Sequence, residues 1–374
     1  MVCSSMNPRS ALPILALLLT CWSAAAQIGK EKVESVSTRN AASLRAAGKG
    51  FVESITIHVP PPVTTLEELT TINQALPSVL PDLGEMLKTA TVSPFYADLY
   101  RRKLAYLKDG NSLTDHNYLD CATALQIQHP RSGRRCLLVQ SDMDVVTDGS
   151  DPDRAPELAD YDEARGSDWY LPQTAYQWAG PPRLPNPFLA YYPKAIGRLD
   201  HYRALFEKEA LTDKGRIWRL LISAVDSQKA RMRTEGLGES TIRGLKNSRS
   251  LLAAEDPFVV LPSNWFSGTA PWTPKVGDYA AVIHGSTIYP ALLGEAGPTF
   301  KTGEASLRLA RAINPKSSGR VRAVSDLGVT YLIFPGTAGP RKAPDLALWQ
   351  TKVREYLSEV GADTGRLHSW VPES

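Results

Sequence analysis

Hydrophobic and polar positions follow two different periods along this chain. In the first third the period is helical: Thr65 and Glu68 form a capping-box pair that opens one predicted helix, and residues 94–109 predict a second. Residues 123–128 ("TALQIQ") and 135–140 ("RCLLVQ") then alternate apolar and polar positions on either side of the turn sequence "HPRSGR". That pattern predicts a β-hairpin.

The second half of the chain mixes both periods. Proline and aromatic residues crowd positions 168–193, which argues against a regular helix or a central strand there. Helical patterns cover residues 195–210, 213–230, 239–254, 304–313 and 344–360, and strand patterns cover 258–262, 279–285, 287–294 and 329–336. Short apolar strands separated by turns indicate a small closed barrel, because closure removes exposed strand edges.

Two glutamates stand close together in the segment "GEAGPTFKTGEASLRLA" (294–310). A straight strand would hold Glu295 and Glu304 ~30 Å apart, and a helix would place them on opposite faces. The intervening glycines and proline permit a chain reversal, so we expect Glu295 to end a strand and Glu304 to open a helix beside it. Two carboxyl groups facing one cleft are what glycosidic hydrolysis requires. The alternative is that both are ordinary surface residues, Glu304 favoured by the helix dipole.

An acidic stretch between residues 142 and 168 is the second candidate for chemistry. Ten acidic residues stand there against Arg154 and Arg165. The spacing fails the calcium-loop template, because Val146 occupies a position that requires an oxygen ligand. A solvated acidic loop and a cleft wall that binds a cationic substrate both remain possible.

The N-terminus is typical of an exported protein. Arg9, an apolar run and three alanines ending at Ala26 predict a signal peptide over residues 1–26. Two cysteines remain after its removal, Cys121 and Cys136, and an oxidising compartment favours a disulfide between them. Two buried free thiols are the alternative.

Several functional classes find no support in the sequence. The formal charge of +3 supplies no strong field for nucleic acid, and no further apolar run is long enough to span a membrane. Two cysteines without clustered histidines do not complete a metal site, so we expect no metal and no cofactor. The six histidines are scattered and suggest no nucleophilic triad.

Six segments together resemble the chitosanases of glycoside hydrolase family 75. The segments are "QSDMDVVTDGSDPDR" (140–154), "TAYQW" (174–178), "DPFVVLP" (256–262), "VGDYAAVIHG" (276–285), "LLGEAGPTFKTGEASLRLARAI" (293–313) and "GVTYLIFPGT" (328–337). The family motif has an Asp in G-D-x-G-P and a Glu in G-E-x-S as its essential acids. The Glu corresponds to Glu304, whereas Glu295 stands where the family has Asp. That departure puts full activity in question, because an added methylene displaces the carboxylate.

The resemblance implies an α+β chain centred on a small closed six-stranded β-barrel, double-psi-like, that hydrolyses chitosan internally with inversion and without a metal. It also implies that Asp142, Asp144 and Asp148 line the cleft. Chitosan is a cationic polysaccharide, so acidic residues suit it, and Trp178 and Tyr279 are candidates to stack on its sugar rings. We expect Glu304 to be the general acid and Glu295 the general base.

The predicted organisation has four parts. A signal peptide (1–26) precedes a partly helical extension (27–114), a catalytic barrel (115–340) with a helical insertion (195–254), and a C-terminal helix and tail (341–374). We expect a monomer, secreted or periplasmic, that contacts neither nucleic acid nor membrane. The rival functions are a catalytically impaired exported glycan-binding protein and a barrel acting on peptidoglycan.

Overall fold

The alternating segments of the sequence form the strands of a β-barrel. The computed structural model describes residues 59–111, 113, 115–165, 170–212 and 216–370, and the predicted signal peptide lies outside them. The strands are β1 (Thr91–Val92), β2 (Cys121–Gln128), β3 (Arg135–Val146), β4 (Gln177–Ala179), β5 (Ser248–Ser250), β6 (Phe258–Pro262), β7 (Tyr279–His284), β8 (Thr287–Gly297), β9 (Glu304–Ser306) and β10 (Val324–Ile333).

The barrel closes through six of these strands in the order β3, β10, β7, β8, β6, β9 and back to β3. The β3–β9 and β6–β8 pairs are parallel, and the other barrel pairs are antiparallel. Strand β2 extends the sheet from β3, and β1 pairs with β2. The predicted class, an α+β fold with a closed six-stranded barrel, is confirmed.

Each of the six barrel strands contributes side chains to one interior core. Along β10, Tyr331 and Ile333 lie in this core, whereas Leu332 between them belongs to a second cluster outside the barrel. This period of two is the pattern that the sequence displays. Burying an apolar side chain of this size contributes roughly 1.5–3 kcal/mol, so the alternation fixes which face of each strand points inward.

Helices cover the outside of the barrel. They are α1 (Leu66–Ile72), α2 (Leu76–Val79), α3 (Leu83–Leu87), α4 (Pro94–Lys108), α5 (Asp162–Arg165), α6 (Phe188–Thr212), α7 (Arg216–Arg231), α8 (Glu239–Asn247), α9 (Leu307–Ile313) and α10 (Leu346–Glu359). The Thr65–Glu68 capping box opens α1 as predicted. The first three helices and α10 pack their apolar faces on the outer cluster of β2, β3, β7, β8 and β10.

The helical insertion begins earlier than the sequence pattern predicts. Helix α6 starts at Phe188 and contains Pro193, although residues 168–193 were expected to exclude regular helix. A proline near the start of a long helix removes one backbone hydrogen bond, and the following turns maintain the helix. Within the described residues, no helix has the length and apolar character needed to cross a membrane.

The predicted hairpin is present, but the predicted disulfide is wrong. Strands β2 and β3 pair with Cys136 opposite Ile127 and Cys121 opposite Ser141, after a register shift at Thr123. The two cysteines therefore lie near opposite ends of the hairpin, and both are buried free thiols. Six residues of strand separate Cys121 from Ile127, about 20 Å, which is far beyond the reach of a disulfide.

Candidate active site

Strand pairing brings Glu295 and Glu304 to the same part of the barrel. Val260 of the central strand β6 lies opposite Glu295 on β8 and opposite Glu304 on β9. Val259 and Ala305, the neighbours of Val260 and Glu304 in their strands, belong to the interior core, so Val260 and Glu304 face outward. Two strand spacings separate the two glutamates, about 10 Å between Cα atoms.

Glu304 lies in a strand, and the expectation that it opens a helix is wrong. Residues Glu304–Ser306 form β9, and α9 begins three residues later at Leu307. Ser306 is the N-cap of that helix, since its hydroxyl accepts a hydrogen bond from the backbone N–H of Leu309. Glu304 therefore does not lie in the first turn of α9, where the helix dipole would favour its ionised form.

Two glycines let the chain pass close to the acidic side chains. Gly303 has φ +75°, in the left-handed region, and a Cβ there would collide with Asp142 and Ser141. At Gly297 a Cβ would lie only 2.9 Å from Oε2 of Glu304. The Glu304 carboxylate therefore reaches across β6 and lies over β8, the strand that carries Glu295.

Glu295 has surroundings that keep it protonated. Burial raises the pKa of Glu295 to about 8, although the backbone N–H groups of Ala296 and Ala175 oppose this shift, and the charge of Glu304 adds to it. The N–H of Ala175 donates to Oε2 at 2.9 Å, and the N–H of Ala296 donates to Oε1 at 2.8 Å. These bonds fix the carboxyl group in one orientation.

Glu304 has a cationic partner. Nζ of Lys301 lies 2.7 Å from Oε1 of Glu304 and 2.7 Å from Oδ2 of Asp144, so one ammonium group bridges two carboxylates. Strands β3 and β9 set this contact, because Asp144 and Glu304 lie opposite each other in the parallel pair. The Glu304 side chain is only 10% exposed, so the ion pair is poorly screened by water.

Asp142 and Asp144 lie near this pair but are engaged with basic residues. Arg322 donates to Asp142 at 3.4 Å and lies 3.1 Å from Asp144, and His116 lies 3.1 Å from Asp144. Burial acts to raise the pKa of Asp144, but His116 and Lys301 outweigh it and hold this pKa well below its usual range. Burial, with the charges of Asp120 and Asp144, raises the pKa of Asp142 to about 8.

Asp148 is a further carboxyl group of the site. Burial raises its pKa well above the usual range, and the charges of Glu295 and Glu304 contribute to this shift. Its Oδ1 accepts a hydrogen bond from the backbone N–H of Leu171 at 2.7 Å. Asp148 is therefore the predicted cleft aspartate that the structure brings into the electrostatic environment of both glutamates.

The rest of the acidic stretch is largely neutralised within the protein. Basic partners from within the stretch and from other elements bind several of its side chains, so it is not a free anionic wall. The pairs are Asp151 with Arg154, Asp153 with Arg183 and Arg249, Asp162 with Arg165, and Glu163 with Arg311. Among the described residues no group of histidine, cysteine and acidic side chains is arranged to hold a metal ion.

The rings of Trp178 and Tyr279, which we expect from sequence to stack on sugars, are covered by other side chains of the protein. Trp178 is only 4% exposed, and the guanidinium groups of Arg154 and Arg249 lie about 6 Å from its ring centre. Tyr279 lies opposite Leu292 on the β7 side of β8 and packs on Tyr356 of α10, with ring centres 5.7 Å apart.

Sequence reasoning missed the cations of the site. Lys301 stands inside the segment that carries both glutamates, so its proximity was available as a signal. Arg322 and the buried pair of Lys103 with Asp120, at 2.8 Å, offered none, because they come from distant parts of the chain. Lys103 also donates to the carbonyl of Phe300, two residues before Thr302.

Part of this site lies in a region that matches a known protein family. The family model described as fungal chitosanase of glycosyl hydrolase group 75 matches residues 218–368, less than half of the chain. The match contains Glu295, Glu304 and Lys301, whereas Asp144 and Asp148 precede it. No curated protein matches the chain. The comparison therefore confirms the resemblance of this region to the chitosanases of glycoside hydrolase family 75 and supports a glycoside hydrolase as the class of the protein.

Proposed function

We propose that this protein is an exported, endo-acting chitosanase that cleaves β-1,4-glucosaminide links with inversion. The observation that carries the proposal is the pairing of Glu295 and Glu304 on either side of Val260, which aims two carboxyl groups at one outer region of the barrel. The family match over the same strands supports this assignment.

The spacing of the two acids favours inversion. Inverting glycosidases hold their carboxyl groups ~6.5–9.5 Å apart to admit a water molecule, and retaining enzymes hold them at ~5.5 Å. Two strand spacings place the Cα atoms about 10 Å apart, and the Glu304 carboxylate leans toward β8. Inversion requires room for one water molecule between the sugar and the base, and the resemblance to the family is what supports this part of the proposal.

The electrostatics assign the roles in the reverse of the expectation from sequence. Glu295 has a pKa of about 8 and holds its proton at neutral pH, so it is suited to protonate the leaving oxygen. Glu304 is paired with the ammonium of Lys301 and is suited to take a proton from the attacking water. The proton of Glu295 passes to the glycosidic oxygen, which leaves as the hydroxyl group of the departing sugar. Glu304 takes a proton from the water molecule that attacks the anomeric carbon.

The substrate is a cationic polysaccharide. With Asp142 and Asp144 engaged by basic side chains, Asp148 is the group best placed to bind a substrate ammonium near the two glutamates. Such binding releases the proton of the Asp148 carboxyl group to solvent, because a nearby ammonium group favours the ionised form of a carboxyl group. The proposal includes a monomeric enzyme that is secreted or periplasmic, because residues 1–26 predict a signal peptide.

Hydrolysis of glucosamine oligomers tests the proposal. We expect the wild-type protein to release reducing ends, and Glu304→Gln and Glu295→Gln each to lower kcat about 100- to 10,000-fold. Glu239→Gln is the matched control, since Glu239 also directly follows a glycine but is exposed on α8. Proton NMR of the fresh product decides the anomer.

Three results would redirect the assignment. Binding of the oligomer without release supports the impaired glycan-binding alternative. Indifference to chitosan with release of muropeptides supports action on peptidoglycan. A product that retains the β-anomer contradicts the inverting mechanism and leaves the two acids with a covalent route.

A further inference from the structure

Lys301 occupies the position between two carboxylates of the site. Its Nζ is 2.7 Å from both Asp144 and Glu304, and its side chain is 17% exposed. Burial acts to lower the pKa of Lys301, but the charges of Glu304 and Asp144 outweigh it and raise this pKa, so the ammonium form persists. A cation of the protein itself therefore fills a position that two acids would otherwise offer to a substrate ammonium.

The segment that carries Lys301 is fixed from the N-terminal side of the chain. Nζ of Lys103 donates to the carbonyl of Phe300 at 2.7 Å, and the ring of Tyr106 stacks on Phe300 with centres 3.9 Å apart. The N–H of Thr302 donates to Oδ2 of Asp120 at 3.3 Å. Because both neighbours of Lys301 are held, its ammonium group is not free to swing away at little cost.

The charges facing Lys301 come from several elements. Asp144 of β3 and Glu304 of β9 contact it, and Asp144 also contacts Arg322 and His116. With Lys301 and Arg322 already bound to Asp144, a second ammonium group brought by substrate would meet repulsion there. At the other end of the site, the hydrogen bonds that Glu295 accepts from Ala175 and Ala296 come from backbone N–H groups and bring no cation to its carboxyl group.

We propose that Lys301 is a positioning residue that holds Glu304 for the reaction and excludes the ammonium group of glucosamine from the position between Asp144 and Glu304. This inference rests on the proposed function. It assigns amine recognition to the opposite end of the site, beside Asp148, and gives the N-terminal helix α4 a part in catalysis through the segment it anchors.

The test compares Lys301→Met and Lys301→Arg with the wild-type protein. We expect Lys301→Met to lower kcat about 10- to 100-fold, because Glu304 loses its fixed orientation. We expect the same variant to bind glucosamine hexamer several-fold more tightly in calorimetry and to show a lower KM, because a cation is removed from the site. Lys301→Arg keeps the charge, so its affinity stays near that of the wild type while its kcat is intermediate.

A matched lysine controls for charge loss alone. Lys352 pairs with Glu355 at 2.8 Å with the same three-residue spacing, but on the exposed face of α10, and Lys352→Met is expected to leave kcat and affinity unchanged. Equal kcat in wild type and Lys301→Met, or unchanged or weaker hexamer binding in that variant, overturns the inference. Failure of the wild type to cleave chitosan refutes the proposed function, and the binding comparison still decides the role of Lys301. Should Lys301→Met fail to fold, the arginine variant decides: kcat equal to wild type overturns the positioning role.

Discussion

Gly297 offers a sharp test of the site because the Glu304 carboxylate lies where a side chain at position 297 would begin. An added Cβ would be 2.9 Å from Oε2 of Glu304 and 2.9 Å from Cγ1 of Val260. Ordinary contact begins at 3.4 Å, so Gly297→Ala forces a movement of 3.4 − 2.9 = 0.5 Å. The carboxylate is the far end of a flexible side chain, so it is expected to supply most of that movement.

The consequence separates activity from stability. A displacement of 1 Å in an active site costs ~100-fold in rate, so half of that displacement predicts about a 10-fold lower kcat, or ~1.4 kcal/mol in the barrier. Gly297 is not among the described glycines with positive φ, so alanine adopts its backbone conformation without strain. The free energy of unfolding is expected to fall by no more than ~1–2 kcal/mol.

Reducing-end release from glucosamine oligomers and urea denaturation measure the two quantities. Gly339→Ala is the control, because no atom lies within 4 Å of its added Cβ and its φ is not positive, and it is expected to match wild type in both assays. A Gly297→Ala protein with wild-type kcat would refute the position deduced for the Glu304 carboxylate. A loss of stability well above 3 kcal/mol would show that the surrounding strands, and not the carboxylate, absorb the added atom.

Three further predictions follow from buried groups. Activity should decline as pH rises through about 8, where Glu295 loses its proton. Between pH ~4.3 and about 8 the folded state keeps this proton and the unfolded state does not, so the free energy of unfolding should fall by up to ~1.4 kcal/mol per pH unit as pH rises. Glu295→Gln should flatten that slope in urea titrations. Lys103→Met should lower the free energy of unfolding by roughly 3–5 kcal/mol, because it leaves the Asp120 carboxylate buried without its cation. Adding Asp120→Asn should recover part of this loss, and equal stability of the single and double variants would contradict the prediction. A thiol reagent should modify Cys121 and Cys136 only after denaturation, and reductant should leave Tm unchanged; a fall in Tm with reductant would instead reveal a disulfide.

The barrel was predictable because its determinants are local. The apolar runs that predicted β6 and β7 coincide closely with those strands, whereas β8 extends three residues past its predicted end and β10 begins five residues before its predicted start. The hairpin of β2 and β3 follows from alternation on both sides of one turn. Where the residues of a strand are sufficient to bury one face, the period of two is visible without knowledge of its partners.

The short strand β9 was not predictable in the same way. Three residues carry too little pattern to distinguish a strand from a helix start, and Glu304 after a glycine is typical of a first helical turn. Its strand conformation depends on β3 and β6, which pair with it from both sides. Tertiary pairing therefore overrides the local preference at the residue on which the chemistry depends.

The local charge composition also suggested an open acidic cleft wall, which the structure does not have. Counting residues 142–168 gives a strong local excess of acid, but the neutralising groups Arg249, Arg311 and Arg322 lie far away in sequence. Ion pairs between distant segments leave no local signal. The same holds for Lys103, whose buried ammonium group joins α4 to the segment before β9.

The geometry of Glu295 bears on the departure from the family motif, where aspartate is found. A longer side chain would carry its carboxylate further from the strand if it extended straight outward. Here Oε1 accepts a hydrogen bond from the N–H of Ala296, the next residue in the same strand, while Oε2 accepts one from Ala175. The side chain is therefore bent back along β8, and the added methylene is taken up in that bend. Because both oxygens accept hydrogen bonds from backbone N–H groups, the orientation of the carboxyl group is fixed, and the proposed role of Glu295 does not depend on a freely rotating glutamate side chain.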